Sequence, residues 1–197
     1  TASFGQGITV TPLQLVLAYG AIANGGILMK PQIVDQVINN GEVVEQKEAV
    51  EVRRVISRKA SYEITQMLRS VVEKGHGKMA GVPGYQVAGK TGTAQVGSTE
   101  AKGYDTGKTV GTFAGFAPVD NPKFVIVVKI DNPKDVIWAE SSAAPTFGEL
   151  MKFLLDYYHV EPTEEYTQQG LEKFNQTHKL KEFFLKKEED ENKDVSN

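Results

Sequence analysis

Residues 84–95 read GYQVAGKTGTAQ and place three glycines close to one lysine and two threonines. Residues 84–91 satisfy the phosphate-loop pattern G-x-x-x-x-G-K-[ST], in which backbone N–H groups and a helix N-terminus hold phosphate groups. The same residues could instead form a β-strand that presents a lysine, a hydroxyl group and free backbone groups to a bound peptide. The first interpretation predicts nucleotide binding and the second predicts recognition of an extended chain.

The flanking sequence does not suit a phosphate loop, which needs a buried strand before it and a helix after it. The preceding segment, KGHGKMAGVPG, is rich in glycine and proline, and the following segment, GTAQVGSTEAKGY, contains three glycines without helical periodicity. No later strand offers a clear aspartate to hold Mg²⁺. The sequence therefore favours a strand, and a nucleotide-binding protein is kept as an alternative.

In a strand, side chains alternate between the two faces of the sheet. One face would carry Val87, Gly89, Thr91 and Thr93, and the other would carry Ala88, Lys90, Gly92 and Ala94. Lys90 would supply a fixed positive charge beside a nucleophile and a bound peptide, and Thr91 would offer its hydroxyl to a terminal carboxylate. Gly92 would let the peptide approach closely because it has no Cβ, and the Thr93 N–H could stabilise a developing oxyanion.

The composition excludes several other function classes. The chain of 197 residues is 40% hydrophobic, with a net charge of −3 and a pI near 5.7, which argues against nucleic-acid binding. Because there is no cysteine, thiolate metal sites and disulfides are excluded. The three histidines, at positions 76, 159 and 178, lack metal-ligand spacing. We therefore expect no metal, no cofactor and no nucleic-acid partner. The chain contains no run of 18 apolar residues, so we expect no transmembrane helix in it.

Two helices and a hairpin are predicted before residue 84. TPLQLVLAYGAIANGG predicts a helix with Thr11 as the N-cap, Pro12 at the first position and Asn24-Gly25-Gly26 at its end. β-Branched pairs around Asn40-Gly41 predict a hairpin. SRKASYEITQMLRSVVEKG predicts a second helix ended by Gly75. Its apolar positions are Ile64, Met67, Leu68, Val71 and Val72.

Three strand-like runs follow, namely YQVAGKTGTAQV, TVGTFAGFAPV and KFVIVVKI. The turn residues Asp120-Asn121-Pro122 predict that the second and third runs form an antiparallel hairpin. The third run is continuously apolar, which predicts a central strand. PTFGELMKFLLDYY then predicts a helix that covers one face of the sheet. Its apolar stripe consists of Phe147, Leu150, Met151, Leu154, Leu155 and Tyr158.

A change in charge marks a boundary near residue 160. Residues 161–197 hold ten acidic and six basic side chains, and Pro162 stands beside the change. We expect residues 161–197 to form an acidic, partly disordered extension. The alternative is an amphipathic helix anchored by the bulky side chains Phe174, Phe183, Phe184 and Leu185.

Three ordered motifs, GQGITVTPLQLVLAYGAIANGG, GYQVAGKTGTAQ and GTFAGFAP, are followed by the apolar run near residue 125. Together they resemble the C-terminal part of the transpeptidase domain of a class B penicillin-binding protein, over about residues 1–160. The resemblance implies an α/β (α+β) fold with a mostly antiparallel sheet flanked by helices, like that of serine β-lactamases and incomplete in this chain. It implies a peptidoglycan DD-transpeptidase that binds D-Ala-D-Ala stem peptides and β-lactams, with Lys90, Thr91, Gly92 and the Thr93 N–H in the substrate site.

The chain departs from the family pattern in one respect. The family uses an S-x-x-K sequence for its nucleophile and base and an S-x-N sequence for a relay serine, and neither occurs here; Ser57-Arg58-Lys59 is the nearest miss. We expect these groups, and a membrane anchor that holds this domain on the extracytoplasmic side, in upstream polypeptide of a parent protein. That upstream half, and division or elongation proteins of the membrane, are the implied partners. The chain alone would be inactive, and a non-catalytic scaffold module is the alternative.

Overall fold

A three-stranded antiparallel sheet forms the centre of the fold. The computed structural model describes residues 8–97, 104–134 and 136–178. The helices are α1 (Pro12–Ala23), α2 (Arg58–Lys74), α3 (Ala143–Tyr157) and α4 (Gln168–Thr177), with 3₁₀ turns at Lys78–Ala80 and Ala139–Ser141. The strands are β1 (Ile27–Met29), β2 (Gln36–Asn39), β3 (Glu42–Gln46), β4 (Glu51–Arg54), β5 (Ala88–Gly97), β6 (Tyr104–Ala117) and β7 (Phe124–Asp131).

Helix α1 begins as its sequence predicts. Thr11 is the N-cap, Pro12 follows it, and the Thr11 and Gln14 side chains bond to each other's backbone N–H groups in a capping box. At the other end, the Asn24 amide donates to Ile27 O at 2.8 Å and its oxygen accepts from Ile27 N–H. The predicted bounds of this helix are confirmed.

The predicted hairpin at Asn40-Gly41 is also confirmed. Strands β2 and β3 pair antiparallel across these two residues, whose φ values are 51° and 85°. Asparagine and glycine tolerate this left-handed backbone, which a tight hairpin turn requires. A second small sheet pairs β1 with β4 and returns the chain to α2.

Helix α2 has the predicted span, and its buried face coincides only in part with the predicted apolar stripe. Ser57 caps its first turn and Gly75 ends it. The buried side chains include Ser61 and Thr65, whose hydroxyls donate to the carbonyls of Ile22 and Ser61. Met67, by contrast, is 66% exposed. Apolar spacing thus predicted the helix and part of its contact face, since Val72 is buried and Leu68 packs against the sheet, while satisfied hydroxyl groups occupy two further inward positions.

The sheet is covered by helices on both faces. On one face, α3 packs Phe147, Met151 and Leu155 against Phe113, with the two phenyl centroids 4.6 Å apart. On the other face, α1 and α2 contribute to a cluster built around three buried residues, Ala88, Phe116 and Val119. This arrangement confirms the α+β fold with an antiparallel sheet flanked by helices. Of the predicted apolar stripe, Leu150 on α3 and Tyr158, the residue that follows α3, are 41% and 61% exposed.

The order of the strands corrects one prediction. β6 and β7 form the predicted antiparallel hairpin, but the order is β5-β6-β7, so β6 lies in the centre and β7 at an edge of the described sheet. A continuous apolar run indicates that both faces of a strand are covered. It does not report how many of its edges are paired, and the central position assigned to β7 was therefore wrong for the described residues.

The chain continues beyond α3 into α4, which lies within the predicted extension. Of the four bulky side chains of that segment, Phe174 is half-buried on α4, whereas positions 183–185 lie outside the described residues. The division at residue 160 stays a prediction. Within residues 8–97, 104–134 and 136–178, no helix has the length and apolar character that crossing a membrane requires.

Candidate substrate-binding edge

The four predicted site residues lie together on β5. Lys90, Thr91, Gly92 and Thr93 are consecutive in the strand, which pairs only with β6 in the described part of the chain. Because Lys90 and Thr91 lie inside a strand that runs from Ala88 to Gly97, no helix begins at them, and the segment lacks the geometry of a phosphate loop. The structure therefore excludes the phosphate-loop geometry, and the strand interpretation is confirmed.

The hydrogen bonds between β6 and β7 determine which backbone groups of β6 face β5. Asn132 N–H donates to Thr109 O at 2.8 Å, in register with the ladder between the two strands. In an antiparallel sheet, successive residues turn their N–H and C=O groups alternately to the two neighbouring strands. Odd-numbered residues of β6 therefore bond to β7, and even-numbered residues bond to β5.

The same alternation fixes the direction of the site backbone on β5. Lys90 pairs with Ala114 of β6, so Lys90 and, two residues on, Gly92 direct their N–H and C=O groups towards β6. Thr91 and Thr93 consequently direct theirs towards the free edge. This orientation is what an oxyanion donor at the Thr93 N–H requires, and it leaves the Thr91 and Thr93 backbone open to an added strand.

Lys90 lies on the face of β5 that packs towards α1 and α2. Ala88, two positions earlier on the same face, is fully buried in the cluster with Tyr19 and Leu68. Lys90 itself is exposed, and its ammonium donates to Thr91 O at 2.8 Å and to Thr91 Oγ1 at 3.3 Å. The only positive charge among the four site residues thus stands at the free edge beside the backbone groups that a peptide would meet.

Thr93 is held in place from the opposite face. Its Oγ1 accepts a hydrogen bond of 3.1 Å from the Ala139 N–H, in the 3₁₀ turn before α3. The side chain is thereby engaged in a tertiary contact, and its own N–H remains directed towards the edge. No sequence pattern predicts this contact, because it joins a side chain to a backbone group 46 residues away.

The two glycines that flank Lys90 have different surroundings. A Cβ on Gly89 would lie 2.5 Å from Phe113 Cε1 and 2.9 Å from Ala114 O, so this position must be glycine to let the core ring pack. A Cβ on Gly92 would meet nothing closer than Thr112 at 3.9 Å. The described fold leaves the space beside Gly92 open, and a ligand could therefore occupy it.

Tyr19 on α1 is half-buried against the cluster that contains Ala88 of β5. Burial raises the pKa of Tyr19 to about 12, so this group stays protonated throughout the physiological range. Within the described ranges, no three His, Cys, Asp or Glu side chains come together in a group that could hold a metal ion. The edge therefore offers backbone hydrogen-bonding groups, one cation and an open space beside Gly92. A catalytic role would also require a nucleophile.

Three of the serines in the described residues are engaged in other hydrogen bonds. The hydroxyls of Ser61 and Ser142 donate to the carbonyls of Ile22 and Trp138, and Ser57 Oγ accepts from Ala60 N–H as a helix cap. None of these three hydrogen bonds links a serine to a lysine or a histidine that could act as a base. The structure thus brings together the four predicted substrate-binding residues, and none of these three serines is activated by a neighbouring base.

Comparison with known proteins identifies the family. The sequence model described as "Penicillin binding protein transpeptidase domain" matches residues 1–152. Stage V sporulation protein D of Bacillus subtilis is 40% identical over 165 residues, covering 82% of this chain and 25% of the relative. The peptidoglycan D,D-transpeptidase FtsI homolog of Mesostigma viride is 30% identical over 175 residues, covering 82% of this chain and 29% of the relative.

A solved structure agrees with this match. Penicillin-binding protein 3 of Mycobacterium tuberculosis, crystallised with ampicillin, superposes with a TM-score of 0.71 at 36% identity, over 82% of this chain and 38% of that one. The chain spans about a quarter of the curated relatives it matches. Because the family model covers well over half of the chain, the resemblance inferred from the motifs is confirmed, and the chain belongs to the penicillin-binding protein transpeptidase domain family, among the class B members.

Proposed function

We propose that this chain supplies the substrate-binding edge of a serine DD-transpeptidase that cross-links peptidoglycan stem peptides and is acylated by β-lactams. The observation that carries the proposal is the free edge of β5, where Thr91 and Thr93 present backbone groups beside the Lys90 ammonium. The name of the Mesostigma viride relative and the ampicillin complex of the M. tuberculosis protein support the same chemistry.

In this mechanism the stem peptide binds as an additional antiparallel strand along β5. The Thr93 N–H donates to the carbonyl oxygen of the penultimate D-Ala, and the Lys90 and Thr91 side chains attract the terminal carboxylate. A serine hydroxyl attacks that carbonyl carbon, the C–N bond breaks, and the terminal D-Ala leaves as a free amine after receiving a proton. An amine of a second stem peptide then attacks the acyl ester and releases the serine. A β-lactam carbonyl would occupy the same position.

The nucleophile, its lysine base and the relay serine belong, in this proposal, to polypeptide that precedes residue 1 in the parent protein. Two observations support this assignment: the chain contains neither S-x-x-K nor S-x-N, and it spans only about a quarter of its relatives. The proposal extends to a membrane anchor in the same upstream region, to an extracytoplasmic position of this domain, and to division or elongation proteins as partners of the parent.

Covalent labelling with a fluorescent penicillin, followed by a denaturing gel, tests the proposal. The parent protein should be labelled, whereas the chain alone should give no band at 21.6 kDa. Co-expression of the chain with the upstream half should restore labelling, with the label on the upstream half because the serine lies there. A labelled band at 21.6 kDa would show that a serine of this chain is the nucleophile.

A non-catalytic scaffold that kept the fold is the second candidate. It predicts that the parent protein is never labelled and that its upstream sequence lacks S-x-x-K. A parent with S-x-x-K that is labelled only when the active-site serine is intact would exclude this candidate.

A further inference from the structure

The segment after α3 forms a strap around the loop that leads into β5. We name residues 160–178 the C-terminal strap and residues 78–87 the lead-in loop. The family model ends at residue 152, so the strap lies outside the part of the chain that the family defines. Its helix, α4, ends beside the 3₁₀ turn of the lead-in loop.

Three backbone carbonyls accept hydrogen bonds between the strap and the lead-in loop. Gly84 O accepts two hydrogen bonds, from Thr163 N–H at 2.9 Å and from Glu164 N–H at 3.0 Å. In the reverse direction, the Tyr85 hydroxyl donates to Val160 O at 2.5 Å. The third carbonyl, Met79 O, is reached by His178 at the end of the strap. Burial raises the pKa of Tyr85, which keeps its phenol in the donor form.

Gly84 is shaped for contact with the strap. Its φ of +82° is in the left-handed region, and a Cβ there would lie 2.5 Å from the Tyr166 ring and 3.3 Å from Pro162. Glycine is therefore required both by the backbone conformation and by the close approach of the strap. The first residue of the GYQVAGKTGTAQ stretch thus has a packing partner on the strap.

His178 closes the far end of the strap. It is 8% exposed, its ring stacks on Phe174 with centroids 3.9 Å apart, and its Nε2 lies 2.9 Å from Met79 O. Its Nδ1 lies 2.9 Å from Phe174 O, so a neutral ring donates to only one of the two carbonyls; with hydrogen on Nε2, the imidazole donates to Met79 O of the lead-in loop. The two ends of the lead-in loop's contact with the strap, at Met79 and at Tyr85, are therefore both hydrogen-bonded.

The lead-in loop is packed into the core and runs directly into β5, which carries the site residues. Tyr85 and Val87 are 6% and 3% exposed in the main core, and Val119 N–H donates to Gln86 O at 3.1 Å. Only two residues separate Val87 from Lys90, and an extended strand cannot lengthen to absorb a displacement. A shift of the lead-in loop along the strand axis would therefore move Lys90 and the Thr93 N–H relative to groups held by other elements.

We propose that the C-terminal strap is a positioning element for the substrate-binding edge: through Gly84, Tyr85 and His178 it holds β5 at the axial position in which the Thr93 N–H meets the reacting carbonyl. The inference rests on the proposed function. Gly84, Tyr85 and His178 are positioning residues in this account, since none of them touches the substrate.

The test uses the full-length parent protein and separates the two steps of penicillin acylation, the noncovalent Kd and the acylation rate constant. Tyr85→Phe and His178→Ala should each lower the acylation rate constant about fivefold, the effect of one lost hydrogen bond on the donor geometry, and should leave Kd nearly unchanged. His178→Gln should recover part of the rate because its amide can donate to Met79 O. Asn175→Ala, on the exposed side of α4, is the matched control and should behave as wild type.

A purely structural role would lower the melting temperature but leave the acylation rate constant unchanged well below it. That result, with a normally acylated wild-type protein, would overturn the inference and leave the proposed function intact. If the wild-type protein is not acylated at all, the proposed function fails. Amide hydrogen exchange of residues 88–93 then tests the strap separately, because Tyr85→Phe should accelerate exchange on β5 if the tie is real.

Discussion

Glycine-to-alanine substitutions at Gly92 and at Gly89 should have different effects, because the first should slow acylation and the second should reduce the stability of the core. The two positions are three residues apart on β5, and the same substitution, glycine to alanine, applies to both. At Gly92 the new Cβ meets no atom of the described fold closer than 3.9 Å, which is an ordinary contact. At Gly89 it meets the Phe113 ring at 2.5 and 2.6 Å. Phe113 is fully buried against Phe147, so its ring has no room to withdraw.

The expected free energies follow from these distances. Overpacking of a core typically costs about 1–3 kcal/mol, so Gly89→Ala should lower the free energy of unfolding by that amount. Gly92→Ala should leave it unchanged or raise it by up to about 1 kcal/mol, because alanine restricts the unfolded chain. If a bound peptide occupies the open space at Gly92, the same overpacking cost of about 1–3 kcal/mol falls on the acylation transition state, a roughly 5- to 160-fold slower reaction.

Both variants are measured in the parent protein by chemical denaturation and by the second-order rate of acylation with a fluorescent penicillin. Gly92→Ala should lose activity at full stability, whereas Gly89→Ala should lose stability first. Wild-type acylation by Gly92→Ala would refute the assignment of that space to the substrate. A loss of stability in Gly92→Ala equal to that of Gly89→Ala would refute the structural comparison on which the prediction depends.

Three further predictions concern the charge at the edge, the buried phenol and the core. Lys90→Ala should slow acylation about 10²- to 10³-fold with little change in stability, since the side chain is exposed; Lys123→Ala is the control, and equal rates for the two variants would contradict the role of Lys90. Because burial raises the pKa of Tyr19 from 10.0 to about 12, its contribution to stability is complete below pH 10 and is lost as the pH rises towards 12. Tyr19→Phe should therefore flatten the alkaline decline of the unfolding free energy by up to about 1.4 kcal/mol per pH unit, and an unchanged slope would argue against burial. Phe147→Ala should destabilise the protein by about 3–5 kcal/mol in chemical denaturation, because its ring is fully buried against Phe113; a loss under about 1 kcal/mol would place it outside the core.

Local signals in the sequence predicted those parts of the fold that local chemistry controls. Thr11 caps α1 because a hydroxyl at that position satisfies a free N–H, and Asn40-Gly41 turns because both residues accept a positive φ. The alternation along β5 likewise placed Lys90 on the face opposite Thr93, since a strand has no other arrangement. The position of residues 90–93 on one strand was therefore predicted from residue type and spacing, and their role in substrate binding stays a prediction.

Long-range contacts supplied the remainder, and no local pattern encodes them. The apolar run of β7 is equally compatible with a central or an edge strand, because helices cover its faces in either case. The inward positions Ser61 and Thr65 look polar in the sequence, yet the first donates its hydroxyl to Ile22 O of α1. The bond from Ala139 N–H to Thr93 and the strap contacts at Gly84 join segments far apart in the chain. Register and tertiary hydrogen bonds of this kind had to come from the structure.

The match of residues 84–91 to a phosphate-loop pattern shows why fixed positions need a physical reason before they are assigned a function. Gly84 is glycine because a left-handed backbone meets the Tyr166 ring there, and Gly89 is glycine because Phe113 occupies the space of its Cβ. Lys90 and Thr91 are successive residues inside a strand that continues to Gly97, so no helix begins at them to hold a phosphate group at its N-terminus. Each of the four positions that satisfy the pattern thus has its own cause, and none of these causes involves a nucleotide. Gly84 lies in the lead-in loop beneath the strap, and the other three lie on the strand that this loop enters, at whose free edge a peptide would bind in the proposed function.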